Sequence, residues 1–143
     1  MGSDNNFLIR QAKQIDLPCI YELMAEFDMF GEFEADTCLI AKNEDALMGF
    51  IRLERVECQT YIRPIVVAKE YQGLGVGRAL LQRVVSVHSN LMAIARGDKT
   101  GFYTQFGFSL IPWDVVYLPF QNECMACPDL GACNPAPLIL VVG

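Results

Sequence analysis

The stretch Val66-Val67-Ala68-Lys69-Glu70-Tyr71-Gln72-Gly73-Leu74-Gly75-Val76-Gly77-Arg78-Ala79-Leu80-Leu81 decides how the chain is read. It predicts the end of an apolar strand, a short polar turn, a glycine loop and the start of an amphipathic helix. Glycine at three alternate positions, Gly73, Gly75 and Gly77, removes the side chains that would hold a ligand off the backbone. The helix that follows turns free N–H groups and a partial positive charge back toward that loop. A glycine loop and a helix N-terminus together bind phosphate.

Working upstream, residues 46–57 and 60–68 predict two long antiparallel strands that reverse around Cys58. Pro64 cannot donate to a ladder, so a bulge or an unpaired edge is expected beside it. Residues 37–42 predict a shorter strand, and Asn43-Glu44-Asp45 a turn. Residues 7–12 predict the first strand. Asp16 is placed to cap a helix with Pro18 in its first turn, and Ile20, Leu23, Met24 and Phe27 form one apolar stripe along it. Residues 30–36 read as a loop or short second helix.

Working downstream, a helix is expected over 75–89, with Val76, Leu80, Val84 and Val87 facing the core. Residues 91–96 are almost wholly apolar, the pattern of a buried parallel strand. Asp98 is placed to cap a helix that carries Phe102 and Phe106 one turn apart and stops at Gly107. Residues 115–120 predict a strand, 121–137 a Cys- and Pro-rich loop, and 138–142 a terminal strand. The order is β-α-(α)-β-β-β-α-β-α-β-β, an α+β arrangement with a mixed sheet in a single domain over 1–143.

Composition narrows the function classes. Hydrophobic residues make up 52% of the 143, too many for a disordered chain. No apolar run approaches the ~20 residues that span a bilayer, so no membrane partner is expected. Residues 1–6 have neither a basic nor an apolar region of the kind a secretion signal needs, and a cytoplasmic location is expected. A formal net charge of −6 disfavours nucleic acid as a partner. Between residues 14 and 41 lie seven acidic residues (Asp16, Glu22, Glu26, Asp28, Glu32, Glu34 and Asp36) and no Lys or Arg. A solvated face accounts for them; the sharper reading is a field that attracts an amine.

The loop is not a dinucleotide fingerprint, because Arg78 stands where the third glycine would fall and no βαβ unit precedes it. Nor is it a P-loop, because no Gly-Lys-Ser/Thr follows. Gln72-x-x-Gly75-x-Gly77 after a long antiparallel strand resembles the acetyl-CoA pyrophosphate loop of the GNAT N-acetyltransferase superfamily. Gly101-Phe102-Tyr103-Thr104-Gln105-Phe106-Gly107-Phe108 is similar to that superfamily's second, aromatic helix motif. Ile9-Arg10-Gln11-Ala12 with Asp16, Ile20 and Leu23 matches a looser third pattern, and Val66-Val67 a fourth. The resemblance covers residues 7–120.

The resemblance implies a GNAT-like, mostly antiparallel mixed sheet with a splayed central strand, flanked by helices. It implies a transferase that moves an acetyl group from acetyl-CoA, the cosubstrate, to a primary amine of a small molecule by direct attack in a ternary complex. Pantetheine would lie along Ile65, Val66 and Val67, with an amide near Val67 polarising the thioester carbonyl. The pyrophosphate would lie over Gln72, Gly73, Leu74, Gly75, Val76, Gly77, Arg78 and Ala79. Tyr103 would donate a hydrogen bond to the CoA sulfur as thiolate leaves. Relatives dimerise through terminal strands, so a homodimer is an assembly the analogy allows. The rival reading keeps the CoA site and drops turnover, giving a sensor or interaction module.

Many superfamily members carry a Glu base where this chain has Tyr61. Glu54, Glu26, Glu32 or water are the remaining candidates for that role, and an amine near its own pKa needs little help. His88, beside the helix stripe, reads as a packed or helix-end residue. Among the six cysteines, Cys124-x-x-Cys127 and Cys133 are clustered. Zinc, a disulfide and packed thiols all suit them, but a structural zinc takes four ligands and three are clustered, so no metal is assigned. The tail resembles a GNAT subgroup with members like short N-acetylglutamate synthases. That favours an amino-acid acceptor, whose carboxylate could pair with Arg52, Arg55 or Arg63. The acidic segment favours a polyamine-like one.

Overall fold

The structure is a computed structural model that describes residues 7–44, 46–88 and 90–141. Residues 1–6 and the expected turn residue Asp45, helix end Ser89 and strand end Val142 lie outside them. Among the described residues seven strands form one sheet, in which the first five stand in chain order and are followed by the seventh and then the sixth. The described pairings are antiparallel except that of the fourth strand with the fifth. This is the mixed, mostly antiparallel α+β arrangement the sequence predicts. The chain divides into two compact units, the described residues of Met1–Leu53 with Arg63–Val87, and of Glu54–Ile62 with His88–Gly143. Among the described residues no helix is long and apolar enough to cross a membrane.

In the first unit, β1 (Leu8–Gln11) lies antiparallel to β2 (Cys38–Asn43), with Arg10 opposite Ile40. β2 in turn lies antiparallel to β3 (Ala46–Val56), with Cys38 opposite Arg52 and Ile40 opposite Phe50. β4 (Gln59–Val67) enters this unit at Arg63. Helix α1 (Leu17–Ala25) sets Ile20, Leu23 and Met24 into a core with Ile40, Phe50, Val66 and Ala68. Phe27 lies past the helix end but still packs on that core.

Asp16 does occupy the N-cap position of α1, without capping it. Its carboxylate instead accepts from the Lys13 N–H at 2.8 Å and from both Arg10 guanidinium nitrogens at 2.9 and 3.2 Å. A bidentate charge-assisted pair outcompetes a single neutral cap bond. The same pair holds the Asp16 carboxyl below its usual range and raises the Arg10 guanidinium. Residues 30–36 are a loop ending in a 3₁₀ turn, Ala35–Thr37. The Tyr21 hydroxyl pins that loop by donating to the Phe33 carbonyl and accepting the Phe33 N–H, each at 3.2 Å. Helix α2 (Val76–Val87) buries Val76, Leu80, Leu81 and Val84. Val87, expected inside, is exposed: the 3.6-residue period keeps it on the face of Val76, Leu80 and Val84, but it stands at the last helical position, where the packed face runs out.

In the second unit, β5 (Asn90–Ala95) runs parallel to β4 at Tyr61–Met92 and Ile62–Ala93. It runs antiparallel to β7 (Ala136–Val141) over its whole length. β6 (Ser109–Leu110) forms the edge beyond β7. Helix α3 (Thr100–Thr104) follows a 3₁₀ turn, Gly97–Lys99. Asp98 lies inside that turn, 3.4 Å from Arg96, and so does not cap α3.

The expected strand over 115–120 is absent among the described residues. A 3₁₀ turn, Trp113–Val115, leads instead into helix α4 (Leu118–Ala126). Pro119 accounts for the difference: it cannot serve a ladder, while its missing N–H and fixed φ suit a first helical turn. The expected loop 121–137 is likewise mostly the remainder of α4, then α5 (Leu130–Cys133) and the start of β7.

Candidate functional site

The glycine loop belongs to the first unit. β4 ends at Val67, a 3₁₀ turn spans Lys69–Tyr71, and the chain reaches α2 through Gln72, Gly73, Leu74 and Gly75. Gly73 and Gly75 adopt φ of +83° and +87°, and a Cβ on either would meet open space. Glycine is therefore required here by backbone conformation and not by packing. The Ala79 N–H bonds the Gly75 carbonyl at 3.0 Å, and helix geometry leaves the N–H groups ahead of it without an acceptor inside the helix. Val76 turns its side chain into the core, which fixes the helix start behind the exposed loop.

One hydrogen bond joins this loop to the strand before it, and two contacts hold the end of that strand to β3. The Gln72 side-chain amide donates to the Val67 carbonyl at 3.0 Å. Gly49 on β3 lies against the same segment: a Cβ there would sit 2.7 Å from the Val66 carbonyl oxygen and 3.2 Å from the Val67 Cα. The Ala68 N–H then bonds the Met48 carbonyl at 2.9 Å. The eleven residues from Ile65 to Ala79 singled out for the cosubstrate thus all lie in the first unit, with Val66 and Val76 buried and Gln72, Gly73, Leu74 and Gly75 exposed. Gly49 escaped the sequence reading. Its signal was a lone glycine inside a strand pattern, which marks a close backbone approach.

Tyr103 belongs to the second unit and is buried. Its ring packs edge-on against Phe102 and Phe108, at centroid distances of 5.2 and 5.4 Å. Behind it the Phe108 N–H bonds the Tyr103 carbonyl and the Gly107 N–H the Thr104 carbonyl, the paired bonds of a Schellman ending. Among the described residues nothing hydrogen-bonds the Tyr103 hydroxyl. Burial pushes its pKa up to about 12. The phenol therefore stays protonated at neutral pH, with an O–H to donate. Handing its proton fully to a thiolate of ordinary pKa would cost roughly 5 kcal/mol.

Tyr61, at the position of the superfamily's Glu base, is fully buried against Phe120, and its hydroxyl accepts the Tyr117 N–H at 2.9 Å. It also lines a cleft of 460 Å³ in the second unit, with Glu57, Asp114, Val116, Leu118 and Gln121. The first unit holds a cleft of 370 Å³ between Tyr21, Met24, Met29, Phe30 and Glu32. Glu26 and Glu32 are exposed and Glu54 is half-buried. The Arg52 guanidinium stacks over the Phe33 ring at 4.7 Å and donates to the Arg63 carbonyl at 3.1 Å.

Burial raises the pKa of Cys38, which disfavours its thiolate as a nucleophile; Cys19 is exposed. His88 is half-buried just past α2. Among the described residues no cysteine is joined in a disulfide, and no three His, Cys, Asp or Glu side chains are gathered as for a metal.

A family model described as an acetyltransferase (GNAT) domain matches residues 34–110. No curated protein matches the chain. Among solved structures, N-acetylglutamate synthase from Neisseria gonorrhoeae, complexed with coenzyme A and N-acetyl-glutamate, superposes with a TM-score of 0.75 at 18% identity. That alignment covers 96% of this chain and 35% of the synthase, so the chain spans about a third of that protein. Rv2747 from Mycobacterium tuberculosis, in complex with CoA, gives 0.71 at 18% identity and covers 95% and 99% of the two chains. The ribosomal-protein-S18-alanine N-acetyltransferase from Escherichia coli gives 0.69 at 16% identity and covers 96% and 94%.

Proposed function

Because the chain belongs to the GNAT acetyltransferase family, we propose that it transfers an acetyl group from acetyl-CoA to a primary amine of a small molecule, as a single domain over 1–143. The observation that carries this reading is the loop at the start of α2, where two open, positive-φ glycines lead into the first-turn N–H groups of a helix. That surface suits the pyrophosphate of a CoA. Ile65, Val66 and Val67 offer backbone groups for the pantetheine arm, and an amide near Val67 offers its N–H to the thioester oxygen.

In the reaction the neutral amine nitrogen attacks the thioester carbonyl carbon. A C–N bond forms, the C–S bond breaks, and the electron pair leaves on sulfur. The nitrogen loses one proton, the thiolate gains one, and the products are an N-acetylated amine and CoA thiol. Tyr103 contributes a hydrogen bond to the departing sulfur and keeps its own proton, as its raised pKa requires. Tyr61 has no carboxylate to offer and its hydroxyl holds the Tyr117 N–H, so deprotonation of the amine falls to water or to a carboxylate elsewhere.

The test is acetyl-CoA turnover against a panel of amines and amino acids, read as thiol release, beside calorimetric CoA binding. Turnover on at least one amine is expected. Failure to bind CoA would remove the reading. Binding without turnover on any acceptor would favour a non-catalytic CoA module, an alternative supported by the missing carboxylate at position 61.

A further inference from the structure

We propose that Cys124 and Cys127 are a modification site. They close a reversible disulfide by exchange with a low-molecular-weight disulfide, and the closed form shifts α5 on its seat at Gly97 and so disturbs the helix that carries Tyr103. The site stands apart from the acetyltransferase reading, and only its effect on kcat rests on that reading.

The two thiols suit a short bridge. Cys124 lies in the last turn of α4 and is half-buried; Cys127 is the C-cap residue of that helix and is exposed. The Cys127 N–H donates to the Cys124 carbonyl at 3.2 Å, closing a four-residue turn. Such a turn holds its end Cα atoms within about 7 Å, and a disulfide spans about 4.4–6.8 Å. Cys133 lies beyond Pro128 and a further turn, at the end of α5.

Closing the bond requires movement. Side chains three positions apart on a helix stand about 5–6 Å apart at Cβ, whereas a disulfide draws its Cβ atoms to about 3.5–4.5 Å. Cys127 therefore has to approach Cys124 by about 1 Å or more. Pro128 follows at once, and its fixed ring favours the extended Cys127 backbone, at ψ of 130°. The Leu130 N–H bonds the Cys127 carbonyl at 3.1 Å. This stiff, hydrogen-bonded turn passes the displacement on to α5.

α5 ends against the turn that leads to Tyr103. A Cβ on Gly97 would stand 2.7 Å from the Asn134 carbonyl oxygen and 3.2 Å from that of Cys133, so the two backbones are in close contact. Asn134 is the C-cap of α5, held at φ of +47° with its N–H on the Leu130 carbonyl at 2.9 Å. Gly97 opens the 3₁₀ turn ahead of α3, and its carbonyl accepts from the Thr100 hydroxyl at 3.2 Å. Thr100 is the first residue of α3, and Tyr103 follows one turn later. All these residues lie in the second unit.

The exchange balances without a metal or a flavin. The exposed Cys127 thiolate attacks a sulfur of the small disulfide, an S–S bond forms to it, and the first small thiolate leaves. The Cys124 thiolate then attacks the Cys127 sulfur, the bridge closes, and the second small thiolate leaves. Each departing thiolate takes up one of the two protons that the cysteines gave up. The two cysteines are oxidised by two electrons and the small disulfide is reduced to two thiols.

The experiment treats the full chain with oxidised glutathione, then with dithiothreitol. Peptide mapping is expected to find Cys124 joined to Cys127, and hydrogen exchange over residues 97–104 to quicken. On an acceptor from the turnover panel kcat should fall about tenfold, within reach of a small misplacement of a catalytic group, with calorimetric CoA affinity unchanged. Dithiothreitol should reverse all three changes. Cys124→Ser, which can hold only a mixed disulfide at Cys127, should keep its rate and its exchange pattern. No bridge, a bridge to Cys133 instead, or a bridge that leaves exchange over 97–104 as it was would overturn the proposal, as would a bridge that leaves kcat unchanged. If no acceptor is turned over, the transferase reading fails, and a bridge with quickened exchange still supports the site.

Discussion

The glycine loop of the first unit and the 111–135 segment of the second are both rich in special residues, yet they answer to different rules. In the loop, residue type dictates backbone. Gly73 and Gly75 adopt conformations that few other residues accept, and the helix begins where their pattern says it should. In the 111–135 segment, residue type is permissive. Val115 to Phe120 would serve a strand or a helix, and Pro119 decides for the helix. Backbone-determined function survives in a sequence as a motif, whereas side-chain-determined structure depends on neighbours that the local sequence does not name.

Under the proposed function the first unit binds the donor and the second supplies Tyr103, and substitutions can break that division. The largest effect is expected at Tyr103. Tyr103→Phe should lower kcat about a hundredfold, the scale of one lost transition-state hydrogen bond, with calorimetric acetyl-CoA affinity unchanged. Unaltered thiol release would erase the role of the second unit in the chemistry. The same variant carries a stability signature. The folded pKa of Tyr103 is raised to about 12 from an ordinary value near 10, so its contribution is complete below pH 10 and is lost as pH rises to 12. Tyr103→Phe should flatten that alkaline decline in melting temperature.

Next comes Gly49→Ala, which drives a Cβ into the Val66 carbonyl. A stability loss of about 2 kcal/mol in urea unfolding is expected, together with weaker CoA binding. A variant of normal stability and affinity would show that the strand does not set the donor surface. Gln72→Ala removes one hydrogen bond to Val67 and should weaken CoA binding severalfold, about 1 kcal/mol, with kcat little changed.

The smallest effect belongs to the tail. Cys124→Ser combined with Cys127→Ser should shift stability by less than about 1 kcal/mol, and a chelator should leave the wild-type melting temperature where it was. A large drop with chelator would show a bound metal and reverse the comparison, making the tail a structural centre.

Much of the first unit was legible because its signals are local. The stripe Ile20, Leu23 and Met24, the bounds of β3 and β4, and the glycine loop each follow from spacing within a few residues. What escaped detection depends on distant partners. Asp16 gives up its helix cap because Arg10 reaches it from β1. Tyr61 is occupied by a backbone N–H fifty-six positions away, at Tyr117. The acidic cleft joins a hairpin turn to a segment on the far side of three strands in sequence, so neither Glu57 nor Asp114 carries a mark of its own.

Gly49 carries a consequence for how the chain tolerates change. Any amino-acid replacement at this codon adds at least a Cβ, and the Val66 carbonyl stands where that atom must go. Under the proposed function, a random missense change there impairs donor recognition from behind, through a residue that never meets the donor. The position would register in a mutational scan as intolerant, although it is not among the residues assigned to the donor.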